Sequence, residues 1–163
     1  MKFDIRQADE GDNQSLHSFY QSIGKEDVGY FENVLGKDCL ILIAEVNEVI
    51  VGFGIINFEP KYNYYQKFDI PEVQDINVHS DFRENGIATE IIYHLENIAR
   101  DQGNEKIGIS VGLTKEYGPA QRLYFKLGYS PDGFGMTQDR QYVSQGQSVS
   151  VDDDLCLMLV KDL

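Results

Sequence analysis

The stretch from residue 72 to residue 111 constrains the fold of this chain more than any other. EVQDINVH at 72–79 carries Val73, Ile76 and Val78 among polar residues and reads as a strand. From about Gly86 to Gln102, Ile87, Ile91, Leu95 and Ile98 form one stripe at helical spacing, with Ala88, Ile92 and Ala99 beside it, and Gly103 suits the left-handed residue that ends a helix. KIGISV at 106–111 follows after a short turn as a buried strand. A strand, helix and strand in this order imply a parallel pair with a right-handed crossover, so the fold class expected is α/β.

The flanking segments add antiparallel structure. Lys2 to Ala8 reads as a short first strand, and Asp9 to about Ser22 as a helix with Leu16, Phe19 and Tyr20 at helical spacing. CLILIAEV at 39–46 and VIVGFGIINF at 49–58 are β-rich runs joined by Asn47-Glu48, a hairpin signature. Residues 57–70 have no clear period and read as a loop or partly ordered arm. Pro119 to Leu127 is expected to be a helix closed by Gly128, and Tyr129 to begin a strand soon broken by Pro131-Asp132-Gly133. A hairpin about Gln145-Gly146 and a last strand, LCLMLV at 155–160, complete the expectation. With no repeat or linker, residues 1–163 are read as a single α/β (α+β) domain with a mixed sheet, an antiparallel meander at its N-terminal end.

Charge narrows the function. Fourteen Lys and Arg against 27 Asp and Glu leave −13 at pH 7, which repels nucleic acid and anionic membranes at long range and suits a cationic substrate such as an amine. Solubility alone accounts for the same charge. Any anionic ligand must therefore find local donors. Cys39 and Cys156 each sit in an apolar run, as expected of reduced thiols in a cytoplasmic protein, and no metal spacing occurs among the His and Cys residues. No run of about 18 apolar residues occurs, and the start lacks the apolar core of a signal peptide.

Local donors are available at RENGIA, 83–88. Gly86 has no Cβ, Ala88 a minimal one, and the free amides of a helix N-terminus could cradle a pyrophosphate with Arg83 nearby. An ordinary helix start with one glycine reads the same way. Neither G-x-G-x-x-G after a strand nor G-x-x-x-x-G-K-[ST] is present, which sets aside dinucleotide oxidoreductases and P-loop enzymes.

The series of strand, Arg83-x-x-Gly86-x-Ala88, helix, strand, and helix with Ala120-x-x-Leu123-Tyr124-x-x-x-Gly128-Tyr129 resembles the GNAT superfamily of acyl-CoA-dependent N-acetyltransferases. The resemblance covers nearly the whole chain. It implies the GNAT fold, in which two central parallel strands splay apart, and a reaction moving acetyl from acetyl-CoA to an amine. It further implies that the backbone of Ile76, Asn77 and Val78 bonds the pantetheine arm, and that the amides of Glu84, Asn85, Gly86, Ile87, Ala88 and Thr89 hold the pyrophosphate beside Arg83. Many family members have Asn where this chain has Tyr117, which puts one cofactor or helix-start contact in question. The strings YGPAQRLY, GYSPDG and VDDDL are similar to a bacterial subgroup.

Catalytic roles stay divided at this level. By resemblance Tyr124 is the acid that protonates the departing thiolate; by spacing alone it is one more member of the helix's inner stripe. The acceptor must lose a proton, since an alkyl amine has a pKa of about 10.4 in water. Glu72 stands where some family members carry a base; Asp75, on the opposite face by strand alternation, or a chain of waters are the alternatives. With no cysteine at the implied site, direct attack is expected. Tyr62, Tyr64, Tyr65, Phe68 and the 141–151 hairpin are candidate acceptor walls, while the same aromatics suit core or a homodimer surface. The competing function is a non-catalytic acyl-CoA sensor or partner-binding module of the same fold.

Overall fold

The β-rich runs CLILIAEV and VIVGFGIIN in the first half of the chain and the apolar runs KIGISVG and LCLMLVKD in the second build two groups of strands, each with helices of its own. The computed structural model describes residues 1–26, 28–35 and 38–163. Two compact units are formed, Met1–Asn57 with Val73–Ile98, and Phe58–Glu72 with Ala99–Leu163.

In the first unit, β1 (Asp4–Gln7), β2 (Cys39–Val46), β3 (Val49–Asn57) and, from Val73 onward, β4 (Glu72–Val78) lie side by side in that order. β1, β2 and β3 are antiparallel neighbours. Asn47 and Glu48, at φ +52° and +65°, make the expected two-residue turn between β2 and β3. Helix α1 (Asn13–Ser22) begins later than the sequence suggests because Asp9 caps a separate 3-10 turn at Glu10–Asp12. A short helix, α2 (Tyr30–Val34), has no counterpart in the sequence reading. It is only five residues long and shows no helical period. Its Phe31 joins Leu16 and Phe19 of α1 and Ile41, Ile43 and Phe53 of the strands in a core, where the Phe31 and Phe53 rings meet edge to face at 5.3 Å. Burying each such side chain contributes about 1.5–3 kcal/mol.

The glycines of VIVGFGIINF let α4 (Ile87–Asp101) pack close to this sheet. A Cβ on Gly52 would lie 2.9 Å from the Asn77 carbonyl oxygen and 3.3 Å from the Ile87 side chain. Of the expected stripe Ile87, Ile91 and Leu95 are buried and Ile98 is half-buried; of the residues beside it Ile92 and Ala99 are buried and Ala88 is half-buried.

Arg6 ties β1 to the turn before α1. Its guanidinium donates to both Asp12 oxygens at 2.7 and 2.8 Å and to both Glu45 oxygens at 2.8 and 3.1 Å. The bond from Arg6 holds the Asp12 carboxyl below its ordinary range, against the opposing effect of burial. A carboxyl depressed in the folded state adds stability above its unfolded pKa of about 3.9 and loses it as pH falls through the folded value. Asp12→Asn should therefore lower Tm at pH 7 and flatten the loss of Tm below about pH 4 relative to wild type. Parallel Tm-against-pH slopes in the two proteins would contradict this.

In the second unit the order is β5 (Lys106–Gly112), β8 (Leu155–Asp162), β6 (Ser130–Gln138) and β7 (Gln141–Tyr142), and every neighbouring pair is antiparallel. Helices α3 (Asn63–Lys67) and α5 (Gly118–Lys126) belong to it. Pro131-Asp132-Gly133 does not end β6. Instead the register jumps between Pro131, opposite Leu159, and Met136, opposite Leu157, so the residues between bulge out. The hairpin turn falls at Asp139-Arg140, with φ +46° and +62°, rather than at Gln145-Gly146. Gly146 is left-handed, but residues 143–154 pair in no strand.

The arm at 57–70 is ordered by its tyrosines. Tyr62 and Tyr65 are wholly buried with Ile70, Cys156 and Met158, so these two are core and not an acceptor wall. The Tyr65 hydroxyl donates to the Leu159 carbonyl at 2.5 Å, and its ring occupies the space above Gly108, where a Cβ would come within 2.3 Å of it. Tyr62 donates to Asp132 at 2.5 Å. Tyr64, Phe68, Phe134 and Tyr142 remain outside as a chain of touching rings, with Phe68 and Phe134 more than half exposed.

Candidate active site

The RENGIA segment turns β4 into α4 through a 3-10 turn at Ser80–Phe82 and two left-handed residues, Glu84 at φ +63° and Gly86 at φ +81°. The first helical bond runs from the Glu90 amide to the Gly86 carbonyl at 3.0 Å. The amides of Ile87, Ala88 and Thr89 therefore precede the helix's own hydrogen-bond ladder and carry the positive end of its dipole. A Cβ built on Gly86 meets nothing within 4 Å, so the space over this turn is open to a ligand. Asn85 spends its side-chain donor on the Phe82 and Arg83 carbonyls at 3.2 and 2.9 Å, which shapes the turn. Arg83 donates through Nε to the Val78 carbonyl at 3.3 Å, and its side chain is exposed. Backbone donors, an open glycine and one exposed guanidinium suit a pyrophosphate despite the acidic side chain of Glu84.

β4 itself is irregular. Asp75 has φ +49°, so simple alternation does not hold across Asp75, Ile76, Asn77 and Val78. Asn77 donates to the Asp75 carbonyl at 3.0 Å, and the Asp75 carboxylate accepts from the Tyr30 hydroxyl. Burial, followed by the nearby Asp75 charge, pushes the Tyr30 phenol well above its ordinary range.

Glu72 opens β4 within the second unit and is fully buried. Its Oε1 accepts from Arg140 Nη2 at 2.6 Å, while Oε2 accepts no hydrogen bond among the described residues. Arg140 also reaches the Ser110 hydroxyl at 3.4 Å. Burial works against the Arg140 charge, but the Glu72 carboxylate outweighs it and raises the guanidinium's pKa. Arg140 is not among the candidates that the sequence offers. The available signal was a carboxylate opening an apolar strand, which needs a cation if buried.

Tyr124 lies on α5, is nearly buried, and has its ring 6.3 Å from that of Tyr129. Tyr117, at the position where many GNAT members have Asn, covers Gly112 closely enough that a Cβ there would approach within 2.3 Å of its ring. Its hydroxyl donates to Asp153 at 2.7 Å, so part of the acidic run at 152–154 serves as an anchor. Asp152 likewise accepts from Gln138 at 3.0 Å. Ile76, Asn77, Val78 and residues 83–89 thus belong to the first unit, and Glu72 and Tyr124 to the second.

Among the described residues no helix is long and apolar enough to cross a membrane. Comparison with solved structures gives the ribosomal-protein-S18-alanine N-acetyltransferase of Escherichia coli at 14% identity and TM-score 0.74, covering 99% of this chain and 94% of that one. A GNAT family acetyltransferase from Elizabethkingia anophelis with acetyl-CoA bound has 16% identity and TM-score 0.70, covering 99% and 98%. An aminoglycoside 6'-N-acetyltransferase complexed with coenzyme A has 17% identity and TM-score 0.67, covering 98% and 96%. These likenesses establish the fold. No curated protein matches the chain in sequence. The model of the acetyltransferase (GNAT) family matches residues 5–129, more than half of the sequence. The chain belongs to the acetyltransferase (GNAT) family.

Proposed function

We propose that residues 1–163 act as one catalytic domain that transfers acetyl from acetyl-CoA directly to a primary amine of a small molecule or peptide. The observation that carries the proposal is the open turn at Gly86, where the first amides of α4 converge. In this reading the amides of residues 84–89 and Arg83 bind the pyrophosphate, and the backbone of Ile76, Asn77 and Val78 aligns the pantetheine arm. Acetyl-CoA supplies an acetyl group activated as a thioester. Orientation by these groups contributes most of the acceleration. Glu72 takes one proton from the acceptor ammonium through a bridging water, leaving a neutral nitrogen. As the C–N bond forms and the C–S bond breaks, Tyr124 donates its hydroxyl proton to sulfur and regains one from nitrogen. One proton is released per turnover. The acidic composition favours a cationic acceptor. Cys39 and Cys156, which form no disulfide, fit a reducing, cytoplasmic setting.

Thermal unfolding with acetyl-CoA, CoA or ATP tests the cofactor assignment. A ligand at 100 times its Kd adds about 2.7 kcal/mol, and each kcal/mol moves Tm by about 2–4 °C at this size. Both CoA species should raise Tm and ATP should not. Gly86→Val, which places a branched side chain at φ +81° and fills the cradle, should abolish most of the shift. Thiol release with a panel of amines then separates an enzyme from a sensor. Stabilisation by CoA without release for any amine would favour the sensor.

A further inference from the structure

Arg140 occupies the second position of a tight turn, where glycine adopts the left-handed conformation at no steric cost and an arginine does not. The strained position is kept by a residue whose side chain runs inward to Glu72 and Ser110. Burying a carboxylate costs free energy unless a cation pairs with it, and Arg140 is that partner for the fully buried Glu72. Yet the pair is made through one carboxylate oxygen only, and a buried oxygen that accepts nothing calls for an explanation. A purely structural ion pair is most stabilising when both oxygens are satisfied. Here one oxygen is clamped and the other, equally buried, accepts no hydrogen bond from the described residues, a site for the bridging water of the proposed transfer.

We propose that Arg140 is a positioning residue for acetyl transfer, holding the Glu72 carboxylate ionised by its Oε1 so that Oε2 receives the acceptor's proton. The inference rests on the proposed direct transfer to an amine. The Tyr65 hydroxyl and the Cys156 thiol also lie within electrostatic reach of Glu72, from α3 and β8. Both are neutral: burial pushes the pKa of each upward. That leaves Arg140 as the cation at this carboxylate among the described groups acting on it.

The test compares wild type with Arg140→Met, Arg140→Lys, Glu72→Gln and the double variant Glu72→Gln/Arg140→Met. Arg140→Met should lower kcat about a hundredfold, near the low end of what a lost general base costs. KM for acetyl-CoA should stay within about twofold, and the acid limb of the pH profile should move upward. Arg140→Lys should restore part of kcat, and the double variant should be no slower than Glu72→Gln alone. Because an unpaired buried charge can unfold a protein, the double variant also provides a folded control without that charge, checked by its acetyl-CoA-dependent Tm shift. Independently of turnover, the carbon-13 carboxyl signal of Glu72, assigned by its loss in Glu72→Gln, should report a carboxylate at pH 7 in wild type and an acid in Arg140→Met. A carboxylate that persists in Arg140→Met would overturn the proposal, as would independent, multiplicative losses of kcat. If wild type binds acetyl-CoA but acetylates no amine in the panel, the transfer reading fails, and the carboxyl signal still decides what Arg140 does to Glu72.

Discussion

Tyr124→Phe is expected to lower kcat about a hundredfold while leaving the acetyl-CoA-dependent Tm shift nearly intact. Removing a general acid typically costs 10²–10⁴ in rate. The phenyl ring is retained, so the packing of this nearly buried residue on α5 is largely preserved. Loss of one hydroxyl hydrogen bond changes folding stability by only about 1 kcal/mol. Thiol release at saturating acetyl-CoA and amine measures the effect, and normal turnover in the variant would return Tyr124 to the inner stripe of its helix. A parallel loss of cofactor binding would instead mean that the hydroxyl shapes the site.

Tyr65→Ala is expected to have the largest effect on stability. The side chain is wholly buried, its ring lies over Gly108, and its hydroxyl serves the Leu159 carbonyl of β8. Truncating a large buried aromatic to alanine costs about 3–5 kcal/mol. At this chain length that corresponds to a fall in Tm of about 6–20 °C. Tyr65→Phe should lose far less, because it keeps the ring and forfeits one hydrogen bond. Tyr64→Ala, at a half-buried position on the same helix, provides a comparison. If Tyr65→Ala and Tyr64→Ala melt alike, the assignment of Tyr65 to the core is wrong.

These tyrosines also mark the limit of reading by pattern. An amphipathic helix as long as α4 repeats its apolar face over several turns, so its boundaries and buried stripe follow from spacing. Helix α3 is five residues, too short for a period to emerge from NYYQK. Whether Tyr64 or Tyr65 points inward depends on Gly108 and Leu159, which lie far along the chain. The same applies to β6. Pro131-Asp132-Gly133 reads locally as a strand end, but β8 continues alongside and absorbs the extra residues as a bulge.

The open helix start at Gly86 was legible because its parts are neighbours in the chain: a strand, a glycine, a small residue and the start of a helix, whose amides are free by the geometry of every α-helix. The two-part motif ending in Gly128-Tyr129 supplied the family in the same way. Glu72 could be named as a candidate base, but its burial and its partner could not be read, since Arg140 is 68 residues away. Tyr117 and Asp153 are separated by 36 residues. Periodicity, turn residues and helix ends are local properties, and they sufficed for the fold class, the open helix start and the family. The partner of a buried charge, the neighbour above a glycine and the side chains closed into a core are set by distances in space, and only the folded chain decided them.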